Sequence, residues 1–278
     1  MPVAHLNDTD LFYVEVGQGG MPCLIMHGGL GFDHTCLHPW LDPLGDVLHL
    51  IYYDHRGHGR SGRPPSETIT FEQLCDDADA LREHLGFEKV AVLGYSFGGF
   101  IALEFALRYP ERLSHLILLD TSPGGDYGEE IEANAGRKGA TPEQLEALEA
   151  SLDTDADMLH LWKVIEPLYF HTYDADLAER VLGKTIFSAD AGKAGDAITE
   201  EWNLTPRLSE ISVPTLILVG RDDFICPPSQ AKIMQERMPN SELVVFEESG
   251  HVPYVEEPEA FFEAVSFFEA VRGWLRRT

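Results

Sequence analysis

Ser96 interrupts an apolar run between a predicted strand and a predicted helix, in the pattern Gly94-Tyr95-Ser96-Phe97-Gly98. A sharp strand-to-helix turn strains the backbone of its central residue and needs small residues two positions before and after it, which Gly94 and Gly98 provide. Such a turn would hold the Ser96 hydroxyl above a sheet, where the N–H groups of the helix that starts at Phe97 could stabilise an oxyanion. The pattern predicts a serine nucleophile; the alternative is a glycine-rich turn with an idle serine.

A serine hydroxyl is a weak nucleophile, so it needs a general base, and the base needs a group that orients it. Two later strand patterns end in suitable side chains. Asp222 and Asp223 follow "TLILVG", and His251 follows "LVVFEE" after two small residues. Open α/β sheets place their sites just beyond the carboxyl ends of strands. We therefore predict His251 as the base and one of the two adjacent aspartates as the orienting acid.

Short apolar runs that alternate with helical patterns must position these side chains. The runs are rich in Val, Ile and Leu and predict strands at residues 23–26, 47–53, 89–93, 113–119, 215–219 and 243–246. A short antiparallel pair, residues 4–6 and 11–16 with a turn at Asn7-Asp8, precedes them. The predicted helices span residues 71–85 behind the N-cap Thr70, 97–108, 229–237 and 258–275. This alternation predicts an α/β fold with a mostly parallel sheet and helices on both faces.

The alternation stops between residues 124 and 207, which contain no convincing strand pattern. Leu145, Leu148 and Leu152 recur at helical spacing, and so does a second set, Met158, Leu161, Trp162, Ile165 and Tyr169. We predict a core domain of residues 1–123 and 208–278, with a helical cap inserted at 124–207. The apolar stripe would form either the interior of the cap or a wall of the substrate pocket.

The charge of the chain argues against two classes of partner. The 278 residues include 47 acidic and 20 basic side chains, a formal net charge of −27. A chain this acidic repels both the phosphates of nucleic acid and an anionic membrane surface. We expect a small-molecule substrate, with neither nucleic acid nor membrane as a partner.

The cysteines and the first residues indicate the compartment. Cys23, Cys36, Cys75 and Cys226 show no CxxC or zinc-ligand spacing, which favours buried free thiols. Residues 1–10 lack the basic and apolar regions of a signal peptide, and no run approaches ~18 apolar residues. We expect a non-exported, cytoplasmic protein.

Five motifs together resemble the α/β-hydrolase superfamily, in its serine-nucleophile branch. They are "HGGLG" at 27–31, "YYDHRGHGRS" at 52–61, "GYSFGG" at 94–99, "GRDD" at 220–223 and "SGH" at 249–251. The resemblance extends over nearly the whole chain outside residues 124–207. It implies the triad Ser96, Asp223 and His251, with Asp222 as the second choice of acid.

The same resemblance implies an oxyanion hole formed by the backbone N–H groups of Gly29 and Phe97. In "DHRGHGRS" it implies that Asp54 and Arg56 order the loop. His55 and His58 invite a metal interpretation, but no metalloenzyme signature accompanies them. We expect neither a metal nor another cofactor.

The implied reaction is acyl transfer through an acyl-enzyme. The motifs are similar to those of small carboxylesterases and of metal-free lactonases, including enzymes that open N-acyl homoserine lactones. Leu30, Phe97, Trp162 and Val252 would form an apolar mouth suited to such substrates. The five motifs are also similar to those of prolyl iminopeptidases, although that group typically has other residues at the positions of Leu30, His55 and Phe97. An ester or lactone hydrolase is therefore the first expectation, and the alternatives are an aminopeptidase, a C–C bond hydrolase or perhydrolase, and a ligand receptor on a hydrolase fold.

Overall fold

A computed structural model describes residues 2–18, 20–148, 150 and 153–275, with side chains as far as residue 270. Its strands are β1 (Val3–Leu6), β2 (Thr9–Val16), β3 (Met21–Met26), β4 (Leu48–Tyr53), β5 (Val90–Tyr95), β6 (Leu113–Leu119), β7 (Thr215–Gly220) and β8 (Ser241–Phe246). They form one sheet in the order β1-β2-β4-β3-β5-β6-β7-β8. β1 and β2 are antiparallel to their neighbours, and β4, β3 and β5 to β8 are mutually parallel. The predicted α/β fold with a mostly parallel sheet is confirmed.

The helices are α1 (Phe71–His84), α2 (Phe97–Arg108), α3 (Gly128–Arg137), α4 (Pro142–Leu148), α5 (Asp155–Ile165), α6 (Ala175–Leu182), α7 (Ala189–Thr199), α8 (Pro228–Arg237), α9 (Pro253–Glu256) and α10 (Pro258–Leu275). Thr70 caps α1, as its sequence position predicts, by accepting a hydrogen bond from the Gln73 N–H. None of the helices in the described part of the chain has both the length and the apolar composition that crossing a bilayer requires.

Both faces of the central strands are buried, which explains why these strands are apolar throughout instead of alternating. In β5, Val90 and Val92 pack into the apolar layer beneath α1, α2 and α8. Ala91 and Leu93 point to the other face and pack into the layer that includes the side chains of α10. Successive side chains of a strand point to opposite faces, so a strand covered on both sides needs apolar residues at every position.

Helices α3 to α7 all lie between β6 and β7 in the chain. The described residues of this segment contribute no strand to the sheet, as predicted. An isolated bridge between Gly124 and Asn203 and a hydrogen bond from the Leu204 N–H to the Pro123 carbonyl (2.8 Å) bring the two ends of the segment together. Leu152, predicted as part of the apolar stripe, lies outside the described residues. The division into a core domain and a cap at 124–207 stays a prediction.

Candidate active site

Ser96 lies at the turn from β5 to α2 in a backbone conformation that L-residues seldom adopt, with φ +52° and ψ −121°. The end of β6 holds this turn: the Ser96 N–H donates to the Leu119 carbonyl (3.0 Å), and the Thr121 hydroxyl donates to the Ser96 carbonyl (2.7 Å). A side chain at Gly98 would place its Cβ 2.0 Å from the Met26 carbonyl oxygen, so a glycine is required there. The Ser96 side chain is half-buried at the start of α2.

His251 and Asp223 form a buried pair beyond the carboxyl ends of β8 and β7. The distance from His251 Nδ1 to Asp223 Oδ2 is 2.7 Å, and both side chains are almost fully buried. Asp223 Oδ1 accepts hydrogen bonds from the N–H groups of Ile225 and Cys226, each 3.0 Å long. These donors fix the orientation of the carboxylate.

Asp222, the alternative acid, points away from His251. Its carboxylate is half-exposed and lies 2.5 Å from Nδ1 of His171. Of the two adjacent aspartates, Asp223 is therefore the one that contacts the imidazole of His251.

The backbone of the segment between β6 and β7 also contacts His251, because the His251 N–H donates to the Tyr169 carbonyl (2.7 Å).

Ser96 and His251 share a cavity of about 490 Å³ between the sheet edge and the segment that holds α3 to α7. The lining contains the four residues of the predicted apolar mouth, Leu30, Phe97, Trp162 and Val252, and also Gly29, which was predicted as an oxyanion-hole donor. The lining also includes Leu148, Met158, Leu161, Ile165 and Tyr169 of the predicted apolar stripe. It further includes residues that the sequence did not single out: Phe32, Phe100, Tyr127, Ile131, Leu182, Asp196 and Ile225. Most of these side chains are apolar, so the cavity suits an uncharged organic group.

The loop after β3 runs directly against the serine. A side chain at Gly28 would place its Cβ 2.9 Å from Cβ of Ser96, and Gly29 has a left-handed backbone with φ +69°. Phe97, the first residue of α2, is on the other side of Ser96 in the chain. Because the first N–H groups of a helix have no partner within the helix, Phe97 offers a free donor beside the serine.

Three buried histidines, His27, His55 and His58, pack together behind this loop, with His55 and His58 ring centroids 5.7 Å apart. Burial lowers the pKa of each ring, that of His58 to about 3, so all three are neutral in the folded protein at neutral pH. Within the described residues, the His, Cys, Asp and Glu groups close enough to share a cation are Asp33–His34–Asp54 and Asp223–Cys226–His251. His55 and His58 belong to neither group.

The first of these groups is a hydrogen-bonded cluster that orders loops. Arg60 pairs with Asp33 (2.7 Å), and His34 Nδ1 lies 2.6 Å from Asp54. Arg56, from the same motif, binds the Asp77 carboxylate through two nitrogens at 2.5 and 2.7 Å. The loop around "DHRGHGRS" is thus held by buried ion pairs, the arrangement that the resemblance implied for Asp54 and Arg56.

Two side chains near the pair were missed in the sequence. The Tyr95 hydroxyl donates to the His251 carbonyl (3.1 Å). Asp120 directly follows β6 and is completely buried, and its Oδ1 accepts from the Gly220 N–H (2.9 Å). The signal that indicated Asp223 and His251, a polar residue just past an apolar strand, is equally present at Asp120.

Comparison with known proteins agrees with this architecture. A sequence model described as alpha/beta hydrolase fold matches residues 22–258. The chain belongs to the α/β-hydrolase family.

Individual relatives within the family carry different activities in their names. The chain is 33% identical to a proline iminopeptidase, PfmaB, of Pestalotiopsis fici, over 91% of this chain and 93% of that protein. It is 30% identical to 3-oxoadipate enol-lactonase 2 of Acinetobacter baylyi, over 95% and 97%. Among solved structures, a thermophilic esterase from Thermogutta terrifontis superimposes with a TM-score of 0.70 at 30% identity, covering 97% of this chain and 94% of that chain. The family and the hydrolase class are common to all three.

Proposed function

We propose that this protein is a serine hydrolase that cleaves a carboxylic ester or a lactone through an acyl-enzyme on Ser96. The observation that carries the proposal is that Ser96 and His251 line one apolar cavity, while His251 is bonded on its far side to the buried Asp223. A nucleophile, a base and an orienting carboxylate in this arrangement are what acyl transfer by a serine requires.

In the proposed mechanism, Ser96 Oγ attacks the substrate carbonyl while Nε2 of His251 accepts the hydroxyl proton. Asp223 holds the Nδ1–H tautomer and stabilises the imidazolium. The N–H groups of Gly29 and Phe97 stabilise the tetrahedral oxyanion. His251 then returns its proton to the leaving alcohol, and a water molecule repeats the sequence on the acyl-enzyme to release the acid.

The lining of the cavity supports an uncharged acyl group. Leu30, Trp162 and Val252 line it together with further apolar residues, and the described lining contains no Lys or Arg that could pair with a substrate carboxylate. The relatives named as an enol-lactonase and an esterase support the lactone and ester part of the proposal. N-acyl homoserine lactones, which join an apolar acyl chain to a small lactone, fall within the proposed class.

One observation favours a second function, an aminopeptidase that removes an N-terminal proline. Asp196 on α7 is the single acidic side chain in the described cavity lining, and partial burial raises the pKa of its carboxyl group. A carboxylate at that place could pair with the free amine of a peptide substrate. The 33% identity to a protein named as a proline iminopeptidase points the same way.

Turnover of three substrates side by side tests the proposal: p-nitrophenyl acetate, an N-acyl homoserine lactone and proline p-nitroanilide. We expect the ester and the lactone to be cleaved, with Ser96→Ala abolishing both activities. If proline p-nitroanilide is the one substrate of the three that is cleaved, and if this cleavage is lost in Asp196→Asn, the aminopeptidase function is established instead. In an ester hydrolase, Asp196→Asn should leave cleavage of the uncharged ester within about threefold, because no substrate charge pairs with the carboxylate.

We also propose that the protein works in the reducing environment of the cytoplasm. All four cysteines are buried free thiols, as expected where disulfides do not persist. Cell fractionation tests this assignment.

A further inference from the structure

Asp120 has a buried carboxyl group that the proposed mechanism does not use. It follows β6 with φ +43°, a strained value for a residue with a side chain, and no part of its surface is exposed. Oδ1 accepts from the Gly220 N–H, but no donor among the described residues reaches Oδ2. A buried, ionised oxygen without a donor is costly. The arrangement therefore indicates a carboxyl group that keeps its proton.

The neighbour of this carboxyl group is Asp223. Both residues are anchored to the same turn after β7, because Asp120 accepts the Gly220 N–H and the Asp223 N–H donates to the Gly220 carbonyl (3.2 Å). The pKa of Asp120 is raised well above its usual range, mainly by burial and next by the negative charge of Asp223, with a side-chain hydrogen bond between the two groups adding to the rise. Two adjacent buried carboxyl groups hold a single proton more readily than they both ionise.

The donors around the pair decide which carboxyl group keeps the proton. Asp223 receives three hydrogen bonds, from the N–H groups of Ile225 and Cys226 and from His251. Asp120 receives one, from Gly220. The proton therefore belongs on Asp120, and Asp223 has an oxygen lone pair left to accept it.

The other titratable groups around the pair leave this assignment unchanged. Glu256, whose own carboxylate accepts N–H groups from Gly250, His171 and Thr172, adds negative charge and further favours the neutral form of Asp120. The half-buried Lys138 is a cation that acts on Asp223. The remaining groups that act on one or both carboxyls are neutral phenols and a thiol with raised pKa: Tyr95, Tyr127, Tyr169, Tyr254 and Cys226.

We propose that Asp120 is a positioning residue that stays a neutral carboxylic acid and donates its proton to Asp223, so that the two aspartates present one negative charge to His251. The inference deepens the proposed function and rests on it for its catalytic part. The donated hydrogen bond fixes the Asp223 carboxylate and withdraws charge from it. His251 is thereby oriented by a carboxylate that is held in place from both sides.

Equilibrium unfolding of the wild type and of Asp120→Asn tests the protonation state without any substrate. The unfolded chain releases the Asp120 proton above about pH 4, whereas the native protein would retain it, so the wild type must lose stability relative to the asparagine variant as the pH rises. We expect the ratio of the two unfolding constants, wild type over variant, to increase about tenfold per pH unit between about pH 5 and pH 7. The exposed Asp126, changed to asparagine, serves as the matched control and should give a constant ratio.

A constant ratio for Asp120→Asn would show an ionised Asp120 and overturn the proposal. Should that variant fail to fold, infrared spectra of the wild type at neutral pH give the same answer. The C=O stretch of a protonated buried carboxyl supports the proposal, and its absence refutes it.

The kinetic test compares Asp120→Asn with Asp120→Ala. Asparagine can still accept the Gly220 N–H and donate to Asp223, so kcat/KM for p-nitrophenyl acetate should stay within about threefold and the pH profile should keep its shape. Alanine removes both contacts, so kcat/KM should fall about 10- to 100-fold. The loss of activity at acidic pH should also begin at a higher pH than in the wild type. Equal damage by both substitutions would refute the positioning role. If Ser96→Ala leaves the esterase rate unchanged, the proposed function fails, while the unfolding result still stands on its own.

Discussion

Replacing Trp162 with alanine should weaken catalysis on long acyl chains more than on short ones. The indole is only 9% exposed and lines the cavity, while it packs against Phe32 with ring centroids 5.0 Å apart and against Tyr169 at 4.5 Å. A buried Trp covers roughly 150–250 Å², of which about 50–100 Å² would face an octanoyl chain. At ~25 cal/mol per Å² this contact contributes about 1.25 to 2.5 kcal/mol, or roughly 8- to 70-fold in kcat/KM. An acetyl group is too short to cover the ring and should lose far less.

The assay measures kcat/KM for p-nitrophenyl acetate and octanoate in the wild type and in Trp162→Ala. Because the indole is also part of the apolar cluster around Phe32, the substitution should cost about 3–5 kcal/mol of stability, and the rates must be taken well below the unfolding temperature. Trp202→Ala is the matched control: Trp202 stacks on Phe100 (4.7 Å) and donates to Glu104, outside the described cavity lining. Equal losses for both esters in Trp162→Ala would refute the argument and leave the indole as interior packing alone.

Three further predictions concern the proposed triad. Ser96→Ala should lower kcat/KM for p-nitrophenyl acetate by about 10⁴- to 10⁶-fold with little change in Tm, because the half-exposed hydroxyl is not part of the packing; retained activity would exclude this nucleophile. Asp223→Asn should cost about 10⁴-fold in kcat, whereas Asp222→Asn, which loses only its contact with His171, should stay within about threefold; the reverse order would exchange their roles. Activity should fall at acidic pH, because a protonated His251 cannot act as a base, and a kcat/KM that does not change with pH would contradict that role.

The positions of Ser96, Asp223 and His251 could be predicted because each follows an apolar strand and the carboxyl ends of parallel strands share one edge. The choice between Asp222 and Asp223 could not be made from spacing alone, since neighbouring residues in a turn point in different directions. That direction is set by the turn after β7, where the Asp223 N–H bonds the Gly220 carbonyl.

Strand boundaries were less predictable than strand positions. The apolar pattern placed the last strand at residues 243–246, whereas β8 begins at Ser241. Ser241 and Glu242 pair with Thr215 and Leu216 of β7 through the backbone, which requires no apolar side chain.

In the segment between β6 and β7, the sequence showed the helical pattern around Trp162 but did not show the role of the Trp162 side chain. The structure gives this side chain both functions that the sequence left open, interior packing and cavity lining.

The topology explains why Asp120 lies beside the proposed triad although no motif marks it. β5, β6, β7 and β8 are adjacent in the sheet in the same order as in the chain, so the residues that follow them, Ser96, Asp120, Asp223 and His251, must lie side by side along one edge. Asp120, the residue after β6, is enclosed between the turn at Ser96 and the turn that holds Asp223, and it is not exposed to solvent. A leucine there would leave the Gly220 N–H without its acceptor, and an ionised aspartate would repel Asp223. A neutral carboxylic acid satisfies both neighbours, because it accepts from one and donates to the other.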